Sequence, residues 1–152
     1  YHAAQLDTRF GKAQEHIRRI EDICGKSVIT TLPEAEPIGP KGYTDIMLVA
    51  PCTGNTLAKL ANSIIDTPAV MAVKSHLRNL RPVVIAVSTN DGLSGSGKNI
   101  GLLQNLRNYY FVPYGQDNYQ GKPSSLVADF TKIEQTLQLA LEGKQIQPML
   151  LR

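Results

Sequence analysis

The chain has 152 residues, 42% of them hydrophobic and 19% charged, with a net charge of +3. That size and balance fit one globular domain over residues 1–152. No apolar run approaches the ~18 residues that a membrane span needs. Lys and Arg are scattered with few aromatics among them, which argues against a nucleic-acid surface. Cys24 and Cys52 form neither a metal-ligand spacing nor a disulfide framework, and read as reduced thiols of a cytoplasmic protein.

In chain order, Phe10, Ala13, Ile17, Ile20 and Ile23 recur at helical spacing over Arg9–Cys24, and Gly25 is a stop. "SVITT" (27–31) predicts a short strand. "LPEAEPIGPKGY" (32–43), with three prolines and two glycines, predicts a loop. "DIMLVA" (45–50) is a continuous apolar run of the kind buried on both faces of a parallel sheet. A second helical stripe follows at Leu57, Leu60, Ala61, Ile64 and Ile65. Pro68 suits the first position of another helix, running to about Asn79, whose exposed face would carry Lys74, His76 and Arg78.

"PVVIAV" (82–87) predicts a fully buried strand, "STNDGLSGSGKN" (88–99) a polar loop, and Ile100, Leu103 and Leu106 a short helix. "YYFVP" predicts a third strand and "YGQDNYQGKPSS" a second polar loop. The last helix would bury Leu126, Phe130, Ile133, Leu137, Ala140 and Leu141 and stop at Gly143. Alternating strands and helices predict a Rossmann-like α/β three-layer sandwich with a mostly parallel sheet. Polar segments after Ala50, Val87 and Pro113 would then gather at the carboxyl ends of the strands, where such folds bind ligands.

Two segments there could hold an anion. "PCTGNT" (51–56) joins a strand to a helix, so free N–H groups and the helix dipole would face the sheet edge. Gly54 would allow close approach, and Thr53, Asn55 and Thr56 offer short donors. The alternative is that Thr or Asn simply caps the helix. "GLSGSGKN" (92–99) nearly fits a nucleotide-binding loop, but Asn99 replaces the magnesium-binding hydroxyl, and four polar residues separate Gly92 from its strand. A mobile loop beside a pocket is the preferred role. His2, His16 and His76 read as surface residues, Asp91 and Asp117 as turn aspartates at the ligand edge. No metal cluster is visible. This scarcity of acids and bases suggests that a cofactor or partner subunit carries the chemistry.

"APCTGNTLAKLANSIID" (50–66) resembles the P-A-S-A-N-T-x-A-K-x-A-N-G-x-x-D signature of the flavoprotein family that includes FMN-dependent cysteine decarboxylases and flavin prenyltransferases, with Pro51, Asn55, Thr56, Ala58, Lys59, Ala61, Asn62 and Asp66 in register. "RPVVIAVSTN" resembles the family's next strand and P-x-M-N loop, with Asn90 on the asparagine. The resemblance implies an FMN-binding site of Thr53, Gly54, Asn55, Thr56, Ser88 and Thr89, with Asn90 on a substrate carboxylate. It also implies a homo-oligomer, trimer or dodecamer, and a first strand–loop–helix preceding Tyr1. Pro37 stands where the decarboxylases carry a catalytic histidine, and Ser88 where the prenyltransferases carry a phosphate-binding arginine.

A narrower resemblance, from Ala35 through "KPSSLVA", is to family members that act beside a dehydrogenase-like subunit. It implies a partner holding NAD(P), a small dicarboxylate as substrate and product, and a place in the mother cell of a sporulating bacterium. Catalytic residues stay unassigned. Two other roles stay open: a non-catalytic subunit that binds ligand and activates its partner, and an independent FMN-dependent decarboxylase or prenyltransferase.

Overall fold

The computed structural model describes residues 4–8 and 11–151; His2 and Phe10 lie outside them. The α/β fold read from the sequence is the one observed. Helix α1 (Ala13–Cys24) ends at Gly25, whose φ of 62° is the left-handed conformation that glycine adopts without steric cost. Its apolar stripe is poorly covered, and Ile20 and Ile23 are exposed.

The segment 27–31 is not a strand. The N–H of Val28 donates to the Glu21 carboxylate, and those of Thr30 and Thr31 donate to Glu34, so glutamates take donors that a sheet ladder would have used. The segment 32–43 is not wholly a loop either. Thr31 and Glu34 form a capping box for a one-turn helix, α2 (Leu32–Ala35), followed by a 3-10 turn (Glu36–Ile38). Prolines at first-turn positions start these turns rather than break them.

Strand β1 (Met47–Cys52) leads into α3 (Gly54–Ala61), and α4 (Pro68–Leu77) leads to β2 (Val83–Thr89). Thr67 caps α4 through its hydroxyl and Pro68 opens it, as its sequence predicts. Helix α3 stops at Ala61, short of Ile65, and Ile64 is exposed. Helix α5 (Gly97–Asn105) then precedes β3 (Tyr109–Phe111). Strand β2 pairs in parallel with β1 on one side and β3 on the other. It is the core of the molecule, because Val83 to Val87 have no solvent exposure. Each such Val or Ile side chain contributes about 1.5–3 kcal/mol by leaving water. Strand β1 is a sheet edge among the described residues, and it is not buried on both faces, since Leu48 keeps 38% of its surface exposed.

The carboxyl end of the sheet holds two strands that the sequence reading missed. β4 (Tyr114–Gly115) and β5 (Leu126–Ala128) are antiparallel, and β5 pairs with Ser88 and Thr89 beyond the end of β3. Leu126 therefore belongs to β5, not to the last helix, α6 (Ile133–Leu141). Phe130 lies in a 3-10 turn (Phe130–Lys132) and is half-exposed. This mixed extension brings the segment 116–125 over the strand ends.

His76 is also corrected. It is 1% exposed, not on the outer face of α4. Its Nε2–H donates to the Pro82 carbonyl at 3.0 Å, and its Nδ1 lies 2.9 Å from the Thr44 hydroxyl. Burial, which is the largest influence, and the nearby Arg81 charge hold its pKa below the ordinary 6.5, against the opposing pull of the Pro82 carbonyl and Asp45.

Candidate functional site

The three polar segments do converge. They form an open cavity of about 870 Å³ at the carboxyl ends of β1 and β2, a size typical of small-molecule sites, ~300–1,000 Å³. Its wall takes Thr53, Gly54 and Asn55 from the start of α3 and Ser88, Thr89 and Asn90 from the end of β2. Thr56 stands outside that wall; its hydroxyl lies 3.4 Å from that of Thr53.

Thr53 occupies the N-cap position of α3 with extended backbone, but its side chain accepts no backbone N–H. The threonine is thus not used as a side-chain cap. The first N–H groups of α3 are left without the side-chain acceptor that an N-cap normally supplies, and they carry the positive end of the helix dipole.

Gly54 is required by the protein's own packing. A Cβ there would sit 2.7 Å from Ser96 Oγ, 2.8 Å from Thr89 Oγ1 and 2.9 Å from Asp91 Oδ1. These three side chains form a cluster against α3. Thr89 donates a short hydrogen bond to the Asp91 carboxylate, and Thr89 and then Ser96 hold that carboxyl below the usual carboxylate range. Asp91 is therefore more than a turn residue: it anchors the loop to the strand end.

The far wall comes from Ser96 and Asn99, within the candidate segment 92–99, and from Lys122 and Ser125 of the second polar loop, none of them singled out from the sequence as a ligand contact. Ser125 is the largest influence lowering the Asp117 pKa, and Lys122 Nζ lies 3.5 Å from the Asp117 carboxylate. Asn99, on the first turn of α5, is 4% exposed, and its Oδ1 has no hydrogen-bond partner. The signal in the sequence was only that these residues follow strand ends. Which of them turn inward depends on the pairing of β2 with β5.

Among the described residues the wall has two carboxylates, Asp91 and Asp117, against one ammonium, Lys122, a formal balance of 1 − 2 = −1. Attraction for an anion must therefore come from backbone N–H groups and Lys122, while the acceptors favour a ligand that also brings donors. Lys98, the would-be phosphate lysine of "GLSGSGKN", is exposed and outside the wall, so this segment is not arranged as a nucleotide-binding loop. Among the described residues, no histidine lines the cavity. The Cys52 thiol is buried and its pKa is pushed up to about 12, which leaves it protonated and unreactive near neutrality. Among the described residues, no group of three or more His, Cys, Asp or Glu is placed to hold a metal ion, and no helix is long and apolar enough to cross a membrane.

Residues 4–126 match the model of the flavoprotein family. The chain belongs to the flavoprotein family. It is 43% identical over 150 residues to the dipicolinate synthase B subunit of Bacillus subtilis (strain 168), covering 99% of this chain and 75% of that protein. The crystal structure of the dipicolinate synthase B subunit from Bacillus halodurans C superposes with a TM-score of 0.89 at 44% identity, over 97% of this chain and 76% of that one. The FMN-dependent cysteine decarboxylase SpaF superposes at 0.61 with 21% identity, over 83% of this chain and 71% of its own. At that identity the likeness speaks for the Rossmann-like fold alone.

Proposed function

We propose that this chain acts as the B subunit of a dipicolinate synthase, beside a nicotinamide-dependent A subunit. Together they would make dipicolinate from a dihydrodipicolinate-type precursor in the mother cell during sporulation, in the cytoplasm. The observation that carries this reading is the 43% identity to a protein of that name, over a match of 150 residues that spans all three segments of the cavity wall.

The cavity chemistry agrees with an FMN-like group and a small dicarboxylate. The N–H groups at the start of α3 and the Thr53 hydroxyl would take an anionic group. The Asn90 amide, exposed at the end of β2, would donate to a carboxylate. The buried, unpaired Asn99 Oδ1 fits a ligand that carries a donor. These residues fit the polar edges of FMN; Ala58 and Val127 are the apolar side chains in the wall, so the ring faces would need further cover. FMN, when bound, supplies a two-electron acceptor, and NAD(P) would be held by the A subunit. That extra cover suits a homo-oligomer, trimer or dodecamer.

A second reading is a non-catalytic subunit that binds ligand and activates its partner. The observation in its favour is that both acids of the wall are already engaged by hydroxyl donors and held in the ionised form, so neither is poised to move a proton near neutrality. Independent decarboxylase or prenyltransferase activity is disfavoured by Pro37 and Ser88.

Purified full-length protein mixed with the A subunit, precursor and nicotinamide cofactor tests the proposal, with and without added FMN. The expected result is dipicolinate formation well above that of the A subunit alone, with a flavin band retained after desalting. Retained dicarboxylate and a faster A subunit without any flavin band would select the second reading. No change in rate and no retained ligand would overturn both.

A further inference from the structure

Among the described residues, Asn99 Oδ1 is the one buried side-chain polar atom without a hydrogen-bond partner. The residue is 4% exposed and belongs to the cavity wall. Its backbone is fixed, since its N–H donates to the Ser96 carbonyl at 3.0 Å within the first turn of α5. Asn is a poor helix former, so local propensity does not account for it. An unpaired buried acceptor lowers stability, and such a group in a native structure calls for a partner from outside the chain.

We propose that Asn99 reads the ligand of this cavity. Its carboxamide presents a donor and an acceptor side by side. The complementary group is a ring edge with an N–H next to a carbonyl or carboxylate oxygen. The acceptor-rich wall, with Asp91 and Asp117 nearby, favours the same donor-bearing ligand. Two molecules of the proposed function carry such an edge: the pyrimidine ring of FMN, and a reduced nitrogen ring with a carboxylate beside its N–H. The inference rests on the reading of this cavity as the ligand site and adds which residue selects the ring.

The test compares the full-length native protein with Asn99→Leu, similar in volume and apolar, in melting temperature and in calorimetric binding of FMN and of piperidine-2,6-dicarboxylate. Without ligand, Asn99→Leu should melt at the native temperature or above, because a buried unpaired polar group has been removed. With ligand, the affinity for the probe that Asn99 reads should fall about 10-fold or more. A fall for FMN assigns the edge to the flavin, and a fall for the piperidine alone assigns it to the substrate. If Asn99→Leu melts well below the native protein, the isosteric Asn99→Asp decides, since it retains an acceptor but cannot donate. Native-like binding of both probes by the deciding variant overturns this inference alone. A native protein that binds neither probe overturns it together with the reading of the cavity, and needs no variant to be seen.

Discussion

Gly54 shows how a single residue can serve a purpose other than the one its motif suggests. In the sequence it stands as a gap for a ligand. In the fold the gap is closed by Ser96, Thr89 and Asp91, whose oxygens lie within 2.9 Å of where a Cβ would be. Gly54→Ala gains helix propensity, at most about 1 kcal/mol in a helix interior and less at its first position. Against that stands the cost of overpacking short side chains bonded to one another, about 1–3 kcal/mol. The steric term wins, so Gly54→Ala should lower unfolding stability by roughly 1 kcal/mol or more, read from urea titration. The Thr89–Asp91 hydrogen bond should loosen with it, and ligand affinity should fall. A variant as stable as the native protein would mean that the cluster yields at no cost.

At the scale of elements, α4 is fastened to the segment before β1 by side chains rather than by apolar packing alone. Ser75 Oγ accepts from the Gly39 N–H at 2.7 Å, Asn79 donates to the Gly39 carbonyl at 2.6 Å, and His76 bridges Thr44 and Pro82. Because the folded state holds the His76 pKa below 6.5, the unfolded chain binds its proton first as pH falls. Stability from this group is complete above about pH 6.5 and is lost as pH drops through the folded pKa. Unfolding free energy should therefore decline between pH 7 and pH 5 in the native protein. His76→Ala should be less stable at pH 7 but should show a flatter profile over the same range. Equal slopes for the two proteins would refute the assignment.

For the whole molecule, the informative feature is what stays uncovered. Ile20 and Ile23, one helical turn apart on α1, are 50% and 75% exposed. Paired apolar residues on an amphipathic helix are commonly buried by another surface. This agrees with the proposed homo-oligomer. Light scattering at micromolar concentration should give a mass above that of one chain. Ile20→Lys combined with Ile23→Lys should reduce that mass without changing the circular dichroism. A native monomer would remove the proposal.

How much of this was legible follows from the range of the interactions. Strands β1, β2 and β3, the caps of α4 and the alternation that makes an α/β fold are written in runs of a few residues, where apolar period, proline and glycine act locally. The convergence of polar segments on one edge follows from that alternation, because parallel strands place successive carboxyl ends together. The rest depends on contacts between distant segments. Strand β5 exists because Leu126 and Val127 pair with Thr89 and Ser88. That pairing carries the segment 116–125 over the strand ends and brings Lys122 and Ser125 into the cavity wall. His76 is buried because Thr44 and Pro82 offer it partners, which no helical periodicity records. The sequence by itself determined the elements and the edge at which they meet. Only the tertiary structure decided which polar side chains face inward, since burial and hydrogen-bond satisfaction belong to neighbours in space, not in the chain.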